Sequence, residues 1–120
     1  MRVLLVDDNP DVRVLMRRVL ESNKSFTIVG EASDGLIALE QMEIHQPQLV
    51  IMDVRMPRMD GVEATKQIKE RWPDTAVVGF SAFDDGSAEM LAAGATAYVL
   101  KDFANDELIM RLVAAAVPTA

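Results

Sequence analysis

Gln48-Leu49-Val50-Ile51-Met52-Asp53 sets the architecture of this 120-residue chain. Four apolar residues run unbroken into one carboxylate, and a short apolar run bounded by turn residues is typical of a strand that is buried on both faces of a parallel sheet. In open α/β sheets the ligands gather at the carboxyl ends of the strands, which is where Asp53 falls. The sequence therefore predicts a parallel sheet with a functional site at the end of this strand.

Three other apolar stretches end in polar groups in the same way. One runs into Asp7 and Asp8, one into Ser81 and one into Lys101. Together with Asp53, these strand ends supply carboxylates, a hydroxyl and an ammonium group. Carboxylate oxygens are ligands for a hard divalent cation, and an ammonium group pairs with phosphate as a point charge. The pattern therefore indicates a site for a divalent cation and a phosphoryl group.

Strand patterns alternate with helix patterns along the whole chain. The predicted strands are 3–6, 26–30, 48–53, 75–80 and 97–100, and each is followed by a helix pattern, the last of which carries Leu108 and Leu112. Alternation with short connections predicts right-handed crossovers and one α/β domain whose parallel sheet is covered by helices on both faces. The second strand is expected at an edge, and Leu15 is expected on the buried face of the first helix.

Composition excludes several classes of function. Half of the residues are apolar and 26% are charged, as in a globular protein, and the net charge of -7 argues against nucleic-acid binding by this domain alone. The absence of cysteine excludes disulfides, zinc-thiolate sites and a cysteine nucleophile. No apolar run is long enough to span a bilayer, and no signal peptide is evident, so we expect a cytoplasmic protein with no membrane partner.

The acidic residues allow both a structural and a chemical interpretation. Asp7 and Asp8 are common residue types in a turn, but two adjacent acids repel each other unless a cation such as Mg²⁺ lies between them. Asp53 is compatible with a helix cap or a turn. At the end of a central strand it is also a candidate metal ligand and a candidate nucleophile that forms an acyl phosphate.

The other polar residues are equally open when each is taken alone. Lys101 is either a solvated surface lysine or a cation for phosphate, and Ser81 is either a helix cap or a hydroxyl donor to phosphate. Tyr98 fits ordinary strand packing, and His45 fits a solvated helix end. No Gly-rich dinucleotide motif or P-loop motif is present.

Taken together, these residues resemble the receiver domain of bacterial two-component response regulators, and the resemblance covers essentially the whole chain. It rests on the following positions: Asp7-Asp8, Asp53, Met56-Pro57, Met59-Asp60-Gly61, Ser81-Ala82, Tyr98 and Lys101. The resemblance implies a flavodoxin-like (βα)5 three-layer sandwich with a parallel five-stranded sheet of order 2-1-3-4-5. Residues 1–120 would form one receiver domain, and any output domain would lie beyond residue 120.

The resemblance also implies a role for each acidic residue. Asp53 would accept a phosphoryl group from a phosphohistidine on a sensor histidine kinase. Mg²⁺ or Mn²⁺ would be bound by Asp8, Asp53 and the backbone carbonyl of Arg55, with Asp7 acting directly or through water. The protein would then catalyse only its own phosphorylation and dephosphorylation, without an external turnover substrate.

A switch follows from the same resemblance. Lys101 would pair with the phosphoryl group, the backbone of Ala82 would contact it, and Ser81 would move toward it. Tyr98 would rotate inward behind Ser81. This change would alter the face formed by the fourth helix, the fifth strand and the fifth helix, and so control self-dimerisation or an output domain.

Lys101 is followed by Asp102, where many receivers have proline. Lys-Asp resembles the subfamily whose output is a LuxR-type helix-turn-helix, which implies transcription regulation through DNA binding by a separate C-terminal domain. Two alternatives stay open at this point. One is a phosphorylation-independent protein-binding module of the same fold. The other is a phosphohydrolase, which the position of Arg55 disfavours because such enzymes place a second acid there.

Overall fold

The predicted alternation of strands and helices is present in the computed structural model, which describes residues 1–81, 86–100 and 114. Within those residues the elements, in chain order, are β1 (Arg2–Val6), α1 (Pro10–Glu21), β2 (Thr27–Ala32), α2 (Gly35–His45), β3 (Leu49–Met52), α3 (Gly61–Arg71), β4 (Ala76–Ser81), α4 (Ser87–Ala92) and β5 (Ala97–Leu100). The predicted fifth helix lies outside the described residues. No helix in the described part of the chain is both long enough and apolar enough to cross a bilayer.

The five strands form one parallel sheet in the order β2-β1-β3-β4-β5. The predicted order 2-1-3-4-5 is therefore confirmed, and β2 lies at an edge as expected. All four residues of β3 are buried, because strands run along both of its edges and helices cover both faces of the sheet. The central position of β3 brings its carboxyl end between the ends of β1 and β4.

The sheet separates two hydrophobic clusters, as side-chain alternation along each strand requires. Leu5 and Ile51 face the side covered by α1, where Met16 and Leu20 complete the cluster. The opposite cluster includes residues of β1 and β3 together with buried residues of α2, α3 and α4. Burial of a large apolar side chain contributes about 1.5–3 kcal/mol, so these clusters fix the strands whose ends carry the site.

The first turn of each of the three longer helices is held by the side chain of the residue before it. Asn9 accepts from the N–H of Asp11 at 2.9 Å, and Pro10 occupies the first helical position. Asp60 accepts from the N–H of Glu63, also at 2.9 Å, and so caps α3. These caps fix the points at which the loops from the strand ends become helix.

Two details of the sequence interpretation are wrong. The second strand begins at Thr27 and continues to Ala32, because its ladder with β1 runs as far as the pair Val6 and Ala32. Leu15 was expected on the buried face of α1, but 40% of it is exposed. Helical spacing alone does not show how wide a stripe the sheet covers, and here Met16 and Leu20 occupy its centre.

Candidate functional site

The hydrogen-bond ladder places Asp7 and Asp53 side by side. The N–H of Asp53 donates to the carbonyl of Val6 at 2.9 Å, and the N–H of Asp7 donates to the carbonyl of Ala32 at 3.0 Å. The register of β1 with β3 therefore continues one residue beyond each strand. Asp7 and Asp53 are each only 6% exposed, which is low for carboxylates.

The predicted acidic cluster is present. One carboxylate oxygen from each of Asp7, Asp8 and Asp53 lies within 4.8 Å of the other two, with Asp8 on the exposed side. The N–H of Asn9 donates to Oδ1 of Asp7, and the N–H of Val54 donates to Oδ1 of Asp53, both at 2.9 Å. These bonds restrict the rotation of two of the three carboxylates.

The donor set of this cluster fits a hard divalent cation. Three carboxylates so close together repel one another unless positive charge is near, and Mg²⁺ takes oxygen ligands while keeping part of its water shell. Asp8 faces solvent, which leaves an entry route for a hydrated ion. The residues present therefore fit Mg²⁺, or Mn²⁺ with the same oxygen donors.

The other predicted site residues fall around this cluster where they are described. Ser81 ends β4 and is 3% exposed. Arg55 is exposed in the loop that follows β3. Ala82 and Lys101 lie outside the described residues, so their predicted roles stay predictions.

Tyr98 packs across the backbone of β4. It pairs in register with Gly79, and a Cβ atom added at Gly79 would lie 2.7 Å from Cδ2 of the tyrosine ring. The absence of a side chain at Gly79 is thus what admits the ring. Tyr98 is partly buried on β5, the strand that pairs with β4, which Ser81 ends. Its predicted inward rotation stays a prediction.

The loop after Asp53 returns to its own starting point. The N–H of Gly61 donates to the carbonyl of Val54 at 2.7 Å. A Cβ atom on Gly61 would lie 1.9 Å from the carbonyl oxygen of Asp53, far inside van der Waals contact. Residue 61 must therefore be glycine for α3 to start where it does, and the loop of residues 54–60 is closed at its base.

Sequence reasoning missed the role of Asp34. Oδ1 of Asp34 accepts from the N–H of Ile37 at 2.9 Å and so caps α2. Oδ2 accepts from Nε of Arg58 at 2.7 Å and lies 2.6 Å from Nη2 of the same side chain. No periodicity links two residues that are 24 positions apart, so the pair had no signal in the sequence.

Arg13 was also missed. Its Nη1 donates to the carbonyl oxygen of Asp7 at 2.5 Å, and its Nε donates to Glu31 at 3.1 Å. Glu31 also accepts a hydrogen bond from Nη2 of Arg17, and this hydrogen bond is the main reason that the pKa of Arg17 is raised. An ion-pair network on α1 and β2 thus reaches the backbone beside the acidic cluster.

The state of Asp34 leads to a pH prediction. Burial acts to raise the pKa of Asp34, but the Ile37 N–H and the Arg58 guanidinium outweigh burial and hold the pKa below its ordinary value. Because the folded pKa is the lower one, ionised Asp34 stabilises the fold above about pH 4, where the unfolded carboxyl titrates. That stabilisation is lost as the pH falls through the folded pKa.

We expect Asp34→Asn, which keeps a capping oxygen, to lower the free energy of unfolding by about 1.5 kcal/mol at pH 7. The difference from the native protein should shrink at pH 3, and urea denaturation at both pH values measures it. Asp60→Asn, the same exchange at an exposed cap, is the control. An equal loss for Asp34→Asn at pH 7 and pH 3 would contradict this prediction.

Comparison with known families gives one assignment for almost the whole chain. The model of the response regulator receiver domain matches residues 3–113. This range includes all four strand ends and every residue that carries the resemblance noted above. Membership of the receiver family therefore rests on nearly the whole chain and not on the acidic cluster alone.

Relatives of known name agree with that assignment. A transcriptional regulatory protein of Bacillus subtilis, YxjL, is 42% identical over 119 residues, covering 96% of this chain and 54% of its own length. The chain spans about half the length of the curated relatives that it matches. The remaining half of those relatives has no counterpart in these 120 residues.

Solved structures confirm the flavodoxin-like fold. The receiver domain of a response regulator named NarL, from Mycobacterium tuberculosis, is 35% identical with a TM-score of 0.85, covering 94% of this chain and 92% of that one. A chain of the CheX–CheY–BeF₃–Mg²⁺ complex from Borrelia burgdorferi is 25% identical with a TM-score of 0.89, covering 98% and 90%. The sheet order is thus that of a known fold.

Proposed function

The chain belongs to the family of response regulator receiver domains, a signalling family, and from that premise we propose that it is a phosphorylation-gated switch. Asp53 accepts a phosphoryl group from the phosphohistidine of a sensor histidine kinase. The observation that carries this proposal is the convergence of Asp7, Asp8 and Asp53 within 4.8 Å at the ends of two neighbouring strands. A carboxylate at the end of a buried central strand, beside two more acids, is suited to phosphoryl chemistry.

Asp53 is the nucleophile in this proposal. One carboxylate oxygen forms a bond to phosphorus while the phosphorus–nitrogen bond of the donor breaks, and the product is an acyl phosphate on the protein. The Val54 N–H holds Oδ1 of Asp53 at 2.9 Å, which limits the orientations from which attack can occur. Positioning of this kind is the main contribution that a protein makes to phosphoryl transfer.

The acidic cluster would hold Mg²⁺ or Mn²⁺ through Asp8, Asp53 and the Arg55 carbonyl, with Asp7 acting directly or through water. When bound, the ion supplies positive charge that offsets the repulsion between an anionic nucleophile and an anionic donor. The structural neighbour from Borrelia burgdorferi, named for its BeF₃ and Mg²⁺ complex, supports this proposal. Asp7 and Asp53 are held in place by the strand ladder before any ion binds.

Phosphorylation would act through the ends of β4 and β5. Phosphorylation would replace the single negative charge of the Asp53 carboxylate with an acyl phosphate of about two negative charges, and Lys101, the Ala82 backbone and the Ser81 hydroxyl are the groups we propose to respond. Tyr98, packed on Gly79 of the neighbouring strand, would follow Ser81. Coupling of about 1–3 kcal/mol between the site and the face formed by α4, β5 and the fifth helix would control dimerisation.

The output that we propose is transcription regulation in the cytoplasm. The chain matches about half of relatives such as YxjL, which is named a transcriptional regulatory protein. With a net charge of -7, this domain is poorly suited to hold DNA itself, so a separate domain would do so. The domain would modify only itself and have no external turnover substrate.

Phosphoryl uptake from acetyl phosphate, with Mg²⁺ or with EDTA, tests the proposed function. We expect uptake by the native protein only in the presence of Mg²⁺, followed by a shift toward dimer in size-exclusion chromatography. Asp8→Asn, which keeps the shape of the exposed ligand, should raise the Mg²⁺ concentration needed for half-maximal uptake by about ten- to a hundredfold. Uptake that is equal with EDTA, or unchanged in Asp8→Asn, would contradict a metal role for this cluster.

A further inference from the structure

The loop of residues 54–60 is tied to a second loop that the site itself does not include. Arg58 reaches Oδ2 of Asp34 with two nitrogens, at 2.7 and 2.6 Å. Asp34 is 4% exposed, whereas the Arg58 side chain is 56% exposed. The anchor is therefore buried, and the residue that it holds is exposed on the loop.

Backbone contacts reinforce this tie. The N–H of Gly35 donates to the carbonyl of Met59 at 2.9 Å, and a Cβ atom on Gly35 would lie 2.7 Å from that oxygen. Arg58 has φ +64°, a left-handed conformation that is uncommon for residues other than glycine. A non-glycine residue keeps such a conformation when its surroundings impose it, and here the side-chain bonds from Arg58 to Asp34 and the backbone bond from Gly35 to Met59 hold this segment on both sides.

We propose that Arg58 is a positioning residue for the metal site: its ion pair with Asp34 fixes the loop that carries the Arg55 carbonyl, and thereby sets the affinity for Mg²⁺. The inference rests on the proposed function, because it assumes that the acidic cluster binds the ion. It goes beyond that function in assigning a role to two residues that would not themselves touch the ion or the phosphoryl group.

Parts of the loop are fixed by contacts that do not involve Arg58. The bond from Gly61 to the Val54 carbonyl closes the loop at its base, and the strand ladder fixes Asp53. Arg55 lies between these fixed points and the tip, and it is exposed. The bridge from Arg58 to Asp34 anchors the tip to α2 together with the bond from Gly35 to Met59, and Met56 and Met59 pack against the core. Loss of the bridge would therefore loosen the Arg55 carbonyl more than it loosens Asp53.

The direction of the effect separates positioning from simple electrostatics. Arg58 is a cation in the loop beside a cluster of three acids, and removing a cation by itself strengthens the attraction of Mg²⁺ to those acids. Loss of positioning weakens Mg²⁺ binding. Residues that hold a metal ligand in place without touching the metal typically change the metal affinity by about 10–100-fold when they are mutated. Because Arg58 is largely exposed, solvent screens its charge and we expect positioning to dominate.

The test is isothermal titration of Mg²⁺ into the native protein, Arg58→Gly, Asp34→Asn and the double variant. Glycine suits the left-handed backbone at residue 58, and Asn at residue 34 keeps a cap for α2. We expect each single variant to weaken Mg²⁺ binding by about tenfold. The double variant should weaken it no further than either single variant, because both remove the same bridge.

Arg71→Ala is the matched control, since Arg71 also forms an exposed ion pair, with Glu43, between helices away from the site. We expect its Mg²⁺ affinity to stay within twofold of native. Arg58→Lys, which keeps one cationic donor, should restore part of the affinity lost in Arg58→Gly. Thermal melting without metal shows whether any variant has lost the fold.

Three outcomes would overturn the proposal: Mg²⁺ binding to folded Arg58→Gly that is unchanged within twofold, binding that is tighter than native, or single-variant losses that multiply in the double variant. These outcomes would leave the proposed function intact, because the native protein would still bind the ion. A native protein that fails to bind Mg²⁺ would overturn the proposed metal role as well as this inference.

Discussion

Asp53→Asn is expected to slow phosphoryl uptake from acetyl phosphate by at least about a thousandfold, on the scale seen when a nucleophile is removed. The amide has nearly the shape of the carboxylate, but it carries no charge and is a poor nucleophile. Asp53 is 6% exposed on the strand ladder, so an isosteric exchange preserves the packing around it. Incorporation of label from [³²P]acetyl phosphate, followed over time with Mg²⁺ in excess, measures the rate.

Asp60→Asn is the matched control, because Asp60 lies seven residues further along and caps α3 through its side chain. Asn is an equally good cap, so the rate of Asp60→Asn should stay near the native value. Native-like uptake by Asp53→Asn would show that another residue accepts the phosphoryl group. The candidates would then be the neighbouring acids Asp7 and Asp8, which the same exchange would test.

Gly61→Ala should lower the free energy of unfolding by about 3 kcal/mol or more, the upper end of the range for overpacked sites. The added Cβ atom would lie 1.9 Å from the carbonyl oxygen of Asp53 and 2.9 Å from its carbonyl carbon. Alanine gains about 1 kcal/mol in helix propensity over glycine, which is too little to offset a collision with backbone. Relief requires Asp53 or the start of α3 to move, so Mg²⁺ affinity should fall as well.

Gly30→Ala is the control for this exchange. Its added Cβ atom would lie 2.5 Å from Oε1 of Gln41, which is the far end of a flexible side chain that can rotate away. We expect a cost of about 1 kcal/mol or less, typical of a tolerated substitution. Urea denaturation of both variants gives the comparison, and a Gly61→Ala variant as stable as Gly30→Ala would show that the loop is not closed against Asp53.

The sheet could be predicted because its evidence is local. Each strand is a short apolar run with a polar terminus, and parallel order follows once helices separate the strands. The acidic cluster could be predicted for the same reason, since the register that joins Val6 with Met52 carries Asp7 and Asp53 to one edge. Those predictions needed only the chain direction and the pairing of neighbouring strands.

The bridge from Arg58 to Asp34 could not be predicted, because it depends on how two loops meet in space. The same holds for Arg13 on α1, whose guanidinium reaches the Asp7 carbonyl. Helical spacing also misjudged Leu15, since the width of a buried stripe depends on the curvature of the sheet beneath it. Tertiary packing decides which side chains meet across two loops and which residues of a helix are buried against the sheet.

The most direct test of the central claim is to locate the phosphoryl group on the native protein. The protein is incubated with acetyl phosphate and Mg²⁺, the acyl phosphate is trapped by borohydride reduction, and the peptides are sequenced by mass spectrometry. We expect reduction at Asp53 and nowhere else, with none when EDTA replaces Mg²⁺. Reduction at another carboxylate, or a product that forms equally with EDTA, would contradict it.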